Sequence, residues 1–394
     1  MHTHYVKIPK NINILSLQDI AAWTLPELIT PHQMIAHIPP LQRGLVWEPY
    51  QIELFWDSVL RGFPVGSLVV CEPIQSQLPY IKKSDSVQAE TLTHHLLDGQ
   101  QRCNAITLGF TDPFADPSTE GAILWVDLDP ELPKSSTRFF LVRLTTEAHP
   151  WGYSKEDSAA RISAANIRKA LKDYGWRGDN EEPLKPDRPK PKEAWPVEAK
   201  YPVPLAWLLR AVEYSTTRDA FWGQIKEKCQ KNYDRAWAKK ICDMTQDCVE
   251  VWEDIYKGIQ FAVQLRLVAL EVPPELITSN SKQENGEEEY KDNISNVEHL
   301  FHRLNRNGTP LEGEELSYSM IKAYLPELRP PVDDISKKYM PATRLVALGT
   351  RAALAAATKD RLPAKLSVSA LRTIARASIS DVKKHDENNQ IRDF

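Results

Sequence analysis

No stretch of this 394-residue sequence is apolar for long enough to cross a membrane, and its first ten residues, MHTHYVKIPK, are not a signal peptide. Cysteine is scarce, with five residues in the chain, and no two of them form a C-x-x-C pair. This scarcity argues against a zinc site and fits a reducing compartment. We therefore expect a cytoplasmic protein without membrane contact.

The sequence also lacks a general excess of positive charge, since its formal net charge is −4 and its isoelectric point is near 6.2. Any contact with DNA must therefore come from a local basic patch. Residues 337–378 are the candidate, because they carry nine Lys or Arg against one acidic residue, Asp360. This excess predicts binding to phosphate backbones. A solvated helix face or a docking surface for a partner protein is the alternative.

Hydrophobic residues make up 42% of the chain, which is enough for sizeable cores, and the length favours two or three domains or subdomains. A helix is predicted after Pro49, because apolar residues recur there with helical spacing. The start of an N-capped helix is also predicted in NILSLQDIAAWTL (13–25). Strands are predicted at 67–73, 94–97, 121–129, 138–146 and 260–273, helices at 154–175 and across 205–257, and a Pro-rich loop at 176–204.

One motif, LLDGQQR at residues 96–102, interrupts a hydrophobic run just before an amphipathic segment. Asp98 stands where a helix N-cap is expected, and Gln101 stands three residues later, where it can complete a capping box. Alternatively, Asp98 and Gly99 form a hairpin turn. Both interpretations are structural and need no ligand.

The same residues also suit an anion, because a helix N-terminus presents free N–H groups and the positive end of the helix dipole. On this interpretation Gly99 and Arg102 hold phosphate, and Gln100 or Gln101 orients an attacking water. Asp98 then caps the helix or binds Mg²⁺. The G-x-x-x-x-G-K-[ST] sequence of a P-loop is absent, so this is a different kind of phosphate site. The interpretation requires that Arg102 be open to the anion rather than turned onto a carboxylate, and that Gly99 border open space.

Together with two other stretches, this motif resembles the GmrSD-type restriction endonuclease N-terminal domain family, which is known for its DGQQR signature. The resemblance spans roughly residues 10–325. It rests on IPPLQRGLVW (38–47) with RGFPVG (61–66), on LLDGQQRCNAITL (96–108) and on FHRLNRNGTPLEGEEL (301–316). It implies a fold of the ParB/sulfiredoxin-like type, nucleotide binding and, in many members, nucleoside triphosphate hydrolysis in bacterial defence against phage or modified DNA.

The resemblance also assigns residues outside the central motif. Gln42 and Arg43 lie in the first signature, and Asn305 and Gly308 lie in the third, so all four are expected to help bind the nucleotide. Asn and Gly at the end of a helix are equally well explained as residues of left-handed conformation. Many members carry a C-terminal HNH-type nuclease domain, whereas the tail here has one histidine, His385. This departure implies a partner nuclease subunit, a further C-terminal part, or a chain that only senses.

His149, in HPWGY after a predicted strand, is a further candidate for a general acid or base. The alternative is a plain turn, because Pro and Gly occupy turn positions and Trp151 can pack beneath them.

We therefore expect an α+β fold: a small mixed sheet of ParB/sulfiredoxin-like type with a helical insert and a helical C-terminal region. The expected function is a nucleotide-binding, NTP-hydrolysing component of a bacterial restriction system, with an NTP and possible Mg²⁺ as cofactors. The alternatives are a non-catalytic subunit that binds DNA or senses a modified base, and a direct DNA nickase. The predicted segments are 1–150 (first part of a ParB-like nucleotide-binding core), 151–257 (helical insert with the Pro-rich loop), 258–326 (completion of the core with a helix-turn-helix that carries FxRLNxxG) and 327–394 (basic helical region).

Overall fold

The computed structural model describes residues 12–32, 34–37, 47–72, 93–115, 121–132, 136–154, 161–173, 194–215, 217–243, 249–274, 332, 335–336 and 340–358. In these residues the fold is α+β. Its elements are β1 Ile12–Ser16, α1 Leu17–Ala21, β2 Ala36–His37, α2 Pro49–Leu60, β3 Leu68–Cys71, β4 His94–Asp98, α3 Gln100–Phe110, β5 Ile123–Asp127, β6 Val142–Thr145, α4 Ala164–Asp173, β7 Pro202–Pro204, α5 Leu205–Glu213, α6 Arg218–Lys231, α7 Ala236–Cys242, α8 Val249–Gln264, β8 Arg266–Glu271 and α9 Ala342–Thr358.

A five-stranded mixed sheet forms the first layer, with strand order β1-β8-β3-β4-β2. β8 pairs antiparallel with β1 and parallel with β3, and β4 pairs antiparallel with β3 and parallel with β2. Side chains on one face of the central strands are buried, among them Leu68, Val70, Leu96, Leu267 and Ala269. The small mixed sheet is as expected, while its assignment to the ParB/sulfiredoxin-like type stays a prediction.

Local sequence explains the first helices. Ser16 caps α1 by accepting from the Asp19 amide, and the Asp19 carboxylate accepts in return from the Ser16 amide, which makes a capping box. Pro49 occupies the first turn of α2, where its missing N–H costs nothing. The predicted apolar face of α2 is confirmed, because Phe55, Trp56 and Val59 are buried.

The second sheet has three strands in the order β6-β5-β7, all antiparallel. β7 corrects the prediction that residues 176–204 form only a loop. Residues 194–204 are ordered against the core, with Trp195 and Val203 fully or almost fully buried. Pro202 and Pro204 are tolerated in β7 because it is an edge strand, where a missing donor breaks no central ladder.

Three other predicted elements begin several residues later than expected. The strand predicted at 138–146 begins at Val142. The helix predicted at 154–175 begins at Ala164, because Arg161 instead forms a β-bridge with Tyr153. The strand predicted at 260–273 begins at Arg266, because α8 continues to Gln264.

Helix α5 packs on β5 and β7 of the second sheet, and α7 reaches β5 through Trp237. The helices from α5 to α8 share one hydrophobic core with the first 150 residues. Four aromatic rings form a cluster in which five pairs of ring centroids lie 5.1–6.3 Å apart: Phe114 after α3, Trp125 in β5, Trp207 in α5 and Trp237 in α7. This aromatic cluster lies beside α3, which packs on α1, α5 and β5. The core therefore holds α3 from several sides.

A buried carboxylate joins α2 to β6. Glu53 accepts hydrogen bonds from Arg138 at 2.9 Å, from Arg143 at 3.3 Å and from the Leu144 amide at 3.0 Å. Arg143 also donates to the carbonyl of Tyr153. Burial lowers the pKa of Arg143, and Glu53 opposes this shift. The carboxylate therefore compensates two guanidinium groups, one of them fully buried, at the junction of the two layers.

Candidate functional site

The DGQQR motif lies at the junction of β4 and α3, as the sequence predicts. β4 ends at Asp98, and α3 begins at Gln100. Gly99 between them has φ +102°, a left-handed conformation that favours glycine. A Cβ at Gly99 would lie 2.4 Å from Cδ2 of Leu68. Because Gly99 is buried and Leu68 fills this space, the requirement that Gly99 border open space is not met. The packing of β3 explains the glycine, and its amide as a phosphate ligand stays a prediction.

The predicted capping box at Asp98 is wrong. The N-cap of α3 is Gly99, which has no side chain to accept from the first-turn amides. Asp98 is instead the last residue of β4, and its carboxylate points to Arg102. The start of α3 therefore keeps the positive end of its dipole without a side-chain cap.

Arg102 is held in place by two acceptors. Its Nη2 donates to Oδ2 of Asp98 at 2.8 Å, and its Nη1 donates to the carbonyl oxygen of Ser67 at 2.6 Å. The Arg102 side chain is 20% exposed and that of Asp98 is 37% exposed, so the pair lies at the surface. The requirement that Arg102 be free of a carboxylate is thus not met. A guanidinium has five N–H donors, and the bonds to Asp98 and Ser67 use two of them.

Gly66 makes room for this guanidinium. Its φ is +93°, and a Cβ on it would come within 2.4 Å of Nη1 of Arg102. Gly66 ends RGFPVG, which follows α2, whereas Arg102 belongs to DGQQR. The structure therefore brings two stretches of the family resemblance into direct contact.

Gln101 connects the stretch IPPLQRGLVW to the start of α3. Its Oε1 accepts from the backbone N–H of Trp47 at 3.3 Å. Trp47 ends IPPLQRGLVW, the stretch that holds Gln42 and Arg43. The first turn of α3 is thus contacted by the end of the first signature and by the end of RGFPVG.

Gln100 differs from its neighbours. Its side chain is partly buried at the start of α3. In the part of the chain that the structure describes, no hydrogen bond involves its side-chain amide. The side-chain amide of Gln101 and the guanidinium of Arg102, by contrast, are hydrogen-bonded. Gln100 is therefore the motif side chain best placed to contact a ligand or a water.

Cys103, directly after the motif, is excluded as a nucleophile. Its side chain lies on the buried face of α3, and burial raises the pKa of the thiol to about 12. A thiol of this kind is protonated at neutral pH and unreactive.

His149 lies in a tight turn after β6, as its structural interpretation predicts. The backbone groups of Thr146 and His149 bond to each other in both directions, and Trp151 packs beneath the turn. Burial, and then the charge of Arg161, lower the pKa of His149. Among the described residues no contact joins His149 to the DGQQR motif, so its catalytic role stays a prediction.

The remaining predicted site residues, Gln42, Arg43, Asn305 and Gly308, lie outside the described residues. Of the basic segment 337–378, residues 340–358 are described, and they contain α9 with Arg344 and Arg351. A helix there was predicted and is confirmed over that range.

Sequence reasoning missed the contacts that Arg102 makes. The pairing with Asp98 had a local signal, because two opposite charges stand only four residues apart in the sequence. The bond to Ser67 and the contact with Gly66 had none, since they depend on how β3 lies beside β4.

A family model described as "GmrSD restriction endonuclease, N-terminal domain" matches residues 26–325, which is more than half of the chain. No curated protein and no solved structure matches it. Across the described residues, no helix has both the length and the apolar composition that a bilayer crossing requires.

Proposed function

The chain belongs to the GmrSD restriction endonuclease N-terminal domain family, and on this basis we propose that it binds and hydrolyses a nucleoside triphosphate within a bacterial DNA restriction system. The supporting observation is the guanidinium of Arg102, fixed at the uncapped N-terminus of α3 by the Ser67 carbonyl. A fixed guanidinium beside the positive end of a helix dipole is suited to a phosphate group.

The Asp98–Arg102 ion pair must break before Nη2 of Arg102 can bind a phosphate oxygen. Partly exposed ion pairs contribute about 0–1 kcal/mol, because water and salt screen them. Loss of this pair therefore costs little, and a phosphate oxygen can take the place of the Asp98 carboxylate as an acceptor for Nη2 of Arg102. The Ser67 carbonyl keeps the guanidinium in position during the exchange. The released Asp98 carboxylate would suit Mg²⁺, an ion that prefers oxygen ligands.

Gln42 and Arg43 complete the proposed site. Both residues belong to the signature that Trp47 ends, and the bond from the Trp47 amide to Gln101 at the start of α3 supports the proposal. Asn305 and Gly308 are proposed for the same site on the family resemblance alone.

The hydrolytic role falls to Gln100, whose amide can orient a water for attack on the terminal phosphate. DNA contact is proposed through the basic segment 337–378, and cutting through a partner nuclease subunit. A second candidate is a sensor that binds nucleotide or a modified base without turnover. It is favoured by the engaged Gln101 amide and by the lack of contact between His149 and the motif among the described residues.

The test is phosphate release and binding for ATP, GTP, CTP and UTP with Mg²⁺, with and without DNA. The wild-type chain is expected to hydrolyse at least one of them. Gln100→Ala is expected to keep nucleotide affinity and to lower turnover on the order of 100-fold, because it removes only the group that orients the water. Gln230→Ala, an exposed glutamine on α6, is the control and should behave as wild type.

The outcomes separate the functions. Turnover that survives Gln100→Ala contradicts the hydrolytic role of this residue. Binding without turnover in the wild type identifies the sensor instead. Plasmid nicking by the isolated chain, lost in Asp98→Ala, would show a nickase.

A further inference from the structure

Three neighbouring strands end in side chains that bind metals. Glu72 directly follows β3, His94 is the first residue of β4, and Glu271 is the last residue of β8. β3 lies between the other two, parallel to β8 and antiparallel to β4. The carboxyl ends of β3 and β8 therefore meet the amino end of β4 at one edge of the sheet.

The strand register places these three residues on one face. Val70 pairs with Leu96 in β4 and with Glu271 in β8. Because side chains alternate along a strand, Glu72 shares the face of Val70, and His94 shares the face of Leu96. One ligand atom from each of Glu72, His94 and Glu271 lies within 4.8 Å of the others.

The two carboxylates of this cluster have no lysine or arginine partner among the residues that the structure describes. Within the described ranges, no lysine or arginine forms an ion pair with Glu72 or Glu271, and His94 forms none with either carboxylate. His94 and Glu271 are partly buried at the rim of the core. Two carboxylates held together there repel each other unless a cation lies between them.

The imidazole is oriented from outside the cluster. Nδ1 of His94 lies 2.8 Å from Oγ1 of Thr93, which in turn accepts from the Ile35 amide at 2.9 Å. Thr93 therefore fixes one ring nitrogen and leaves Nε2 for another partner. An outer group that holds one nitrogen of a histidine while the other binds metal is the usual arrangement in metal sites.

We propose that Glu72, His94 and Glu271 bind a divalent first-row transition metal ion. One imidazole with two carboxylates is a ligand set for Zn²⁺ or Mn²⁺ rather than for Mg²⁺, which takes oxygen ligands and keeps its waters. The sequence argument against a zinc site rested on cysteine, and this ligand set contains none. Three protein ligands leave a coordination position open. The site is separate from the DGQQR motif, because His94 and Asp98 lie at opposite ends of β4, roughly 13 Å apart.

The test is calorimetric titration of the full chain with Zn²⁺ in the presence of excess Mg²⁺. Residues His2 and His4 form an H-x-H sequence that can bind Zn²⁺ by itself, so all proteins carry His2→Ala and His4→Ala. The protein that carries only His2→Ala and His4→Ala keeps the cluster intact and is expected to bind one Zn²⁺ per chain. Glu271→Gln, Glu72→Gln and His94→Asn are each expected to lower the affinity at least tenfold. Glu147→Gln, an exposed glutamate in the turn after β6, is the control.

Circular dichroism checks that each variant is folded. Glu72→Gln is not expected to disturb the fold, because Glu72 is exposed. Visible absorption of Co²⁺ reports the ligand set directly and should change in His94→Asn. The proposal is overturned if the intact cluster binds no Zn²⁺, if excess Mg²⁺ displaces it, or if Glu271→Gln and His94→Asn bind as tightly as the control.

Discussion

Replacement of Glu53 by glutamine is expected to lower the free energy of unfolding by about 3–5 kcal/mol, the usual cost of removing one partner from a buried ion pair. The Glu53 side chain is fully buried and accepts from Arg138, Arg143 and the Leu144 amide. The amide of glutamine keeps the shape of the side chain but not its charge. Both guanidinium groups would then lose the charge of Glu53, and the side chain of Arg143 is 1% exposed.

Denaturant unfolding monitored by tryptophan fluorescence measures this effect. The matched control is Glu227→Gln, which removes a carboxylate from the exposed pair with Lys231 on α6. That variant should unfold at the wild-type denaturant concentration, because exposed pairs of this kind contribute little. If both variants unfold at the same concentration, Glu53 does not hold α2 on β6 as described.

Replacement of Arg102 by alanine is expected to lower triphosphate turnover on the order of 1000-fold, because an arginine on the phosphates of the transition state is worth at least that factor. Arg102→Lys should recover only part of the loss. Lysine keeps the charge, but it cannot donate in a planar fork to Ser67 and to a phosphate together. Phosphate release and nucleotide affinity are measured for both variants.

Asp98→Asn separates the ligand role of Arg102 from its structural role. This change also breaks the Asp98–Arg102 ion pair, yet it leaves the guanidinium on the Ser67 carbonyl. Without the competing carboxylate, metal-free nucleotide should bind as tightly as to wild type or more tightly. If Asp98→Asn and Arg102→Ala lose affinity to the same degree, the ion pair itself is what matters, and Arg102 is not a phosphate ligand.

The sequence was sufficient where local rules decide the structure. Pro49 and the apolar spacing after it predicted α2, and the change from HHLL to an amphipathic segment predicted the junction of β4 and α3. It was insufficient where a tertiary contact overrides composition. The Pro-rich segment before α5 was predicted as a loop, but Trp195 is buried there and Pro202 lies in an edge strand.

The site shows the same limit. The residues of the motif and their place at a strand-to-helix junction follow from the sequence. The environment of Arg102 does not, because Ser67 and Gly66 reach it across 35 or more residues of chain. The metal-binding cluster depends on the sheet register in the same way, since only the pairing of β3 with β4 and β8 brings Glu72, His94 and Glu271 together.

Hydrogen exchange of the backbone amides of residues 99–102 tests the central claim most directly, because these amides and Arg102 are proposed to meet the phosphates. The full chain would be compared with and without a saturating, slowly hydrolysed triphosphate and Mg²⁺. Slower exchange at the start of α3 on nucleotide binding, lost in Arg102→Ala, is the predicted result. Nucleotide binding with unchanged exchange at residues 99–102 and protection elsewhere would contradict the claim.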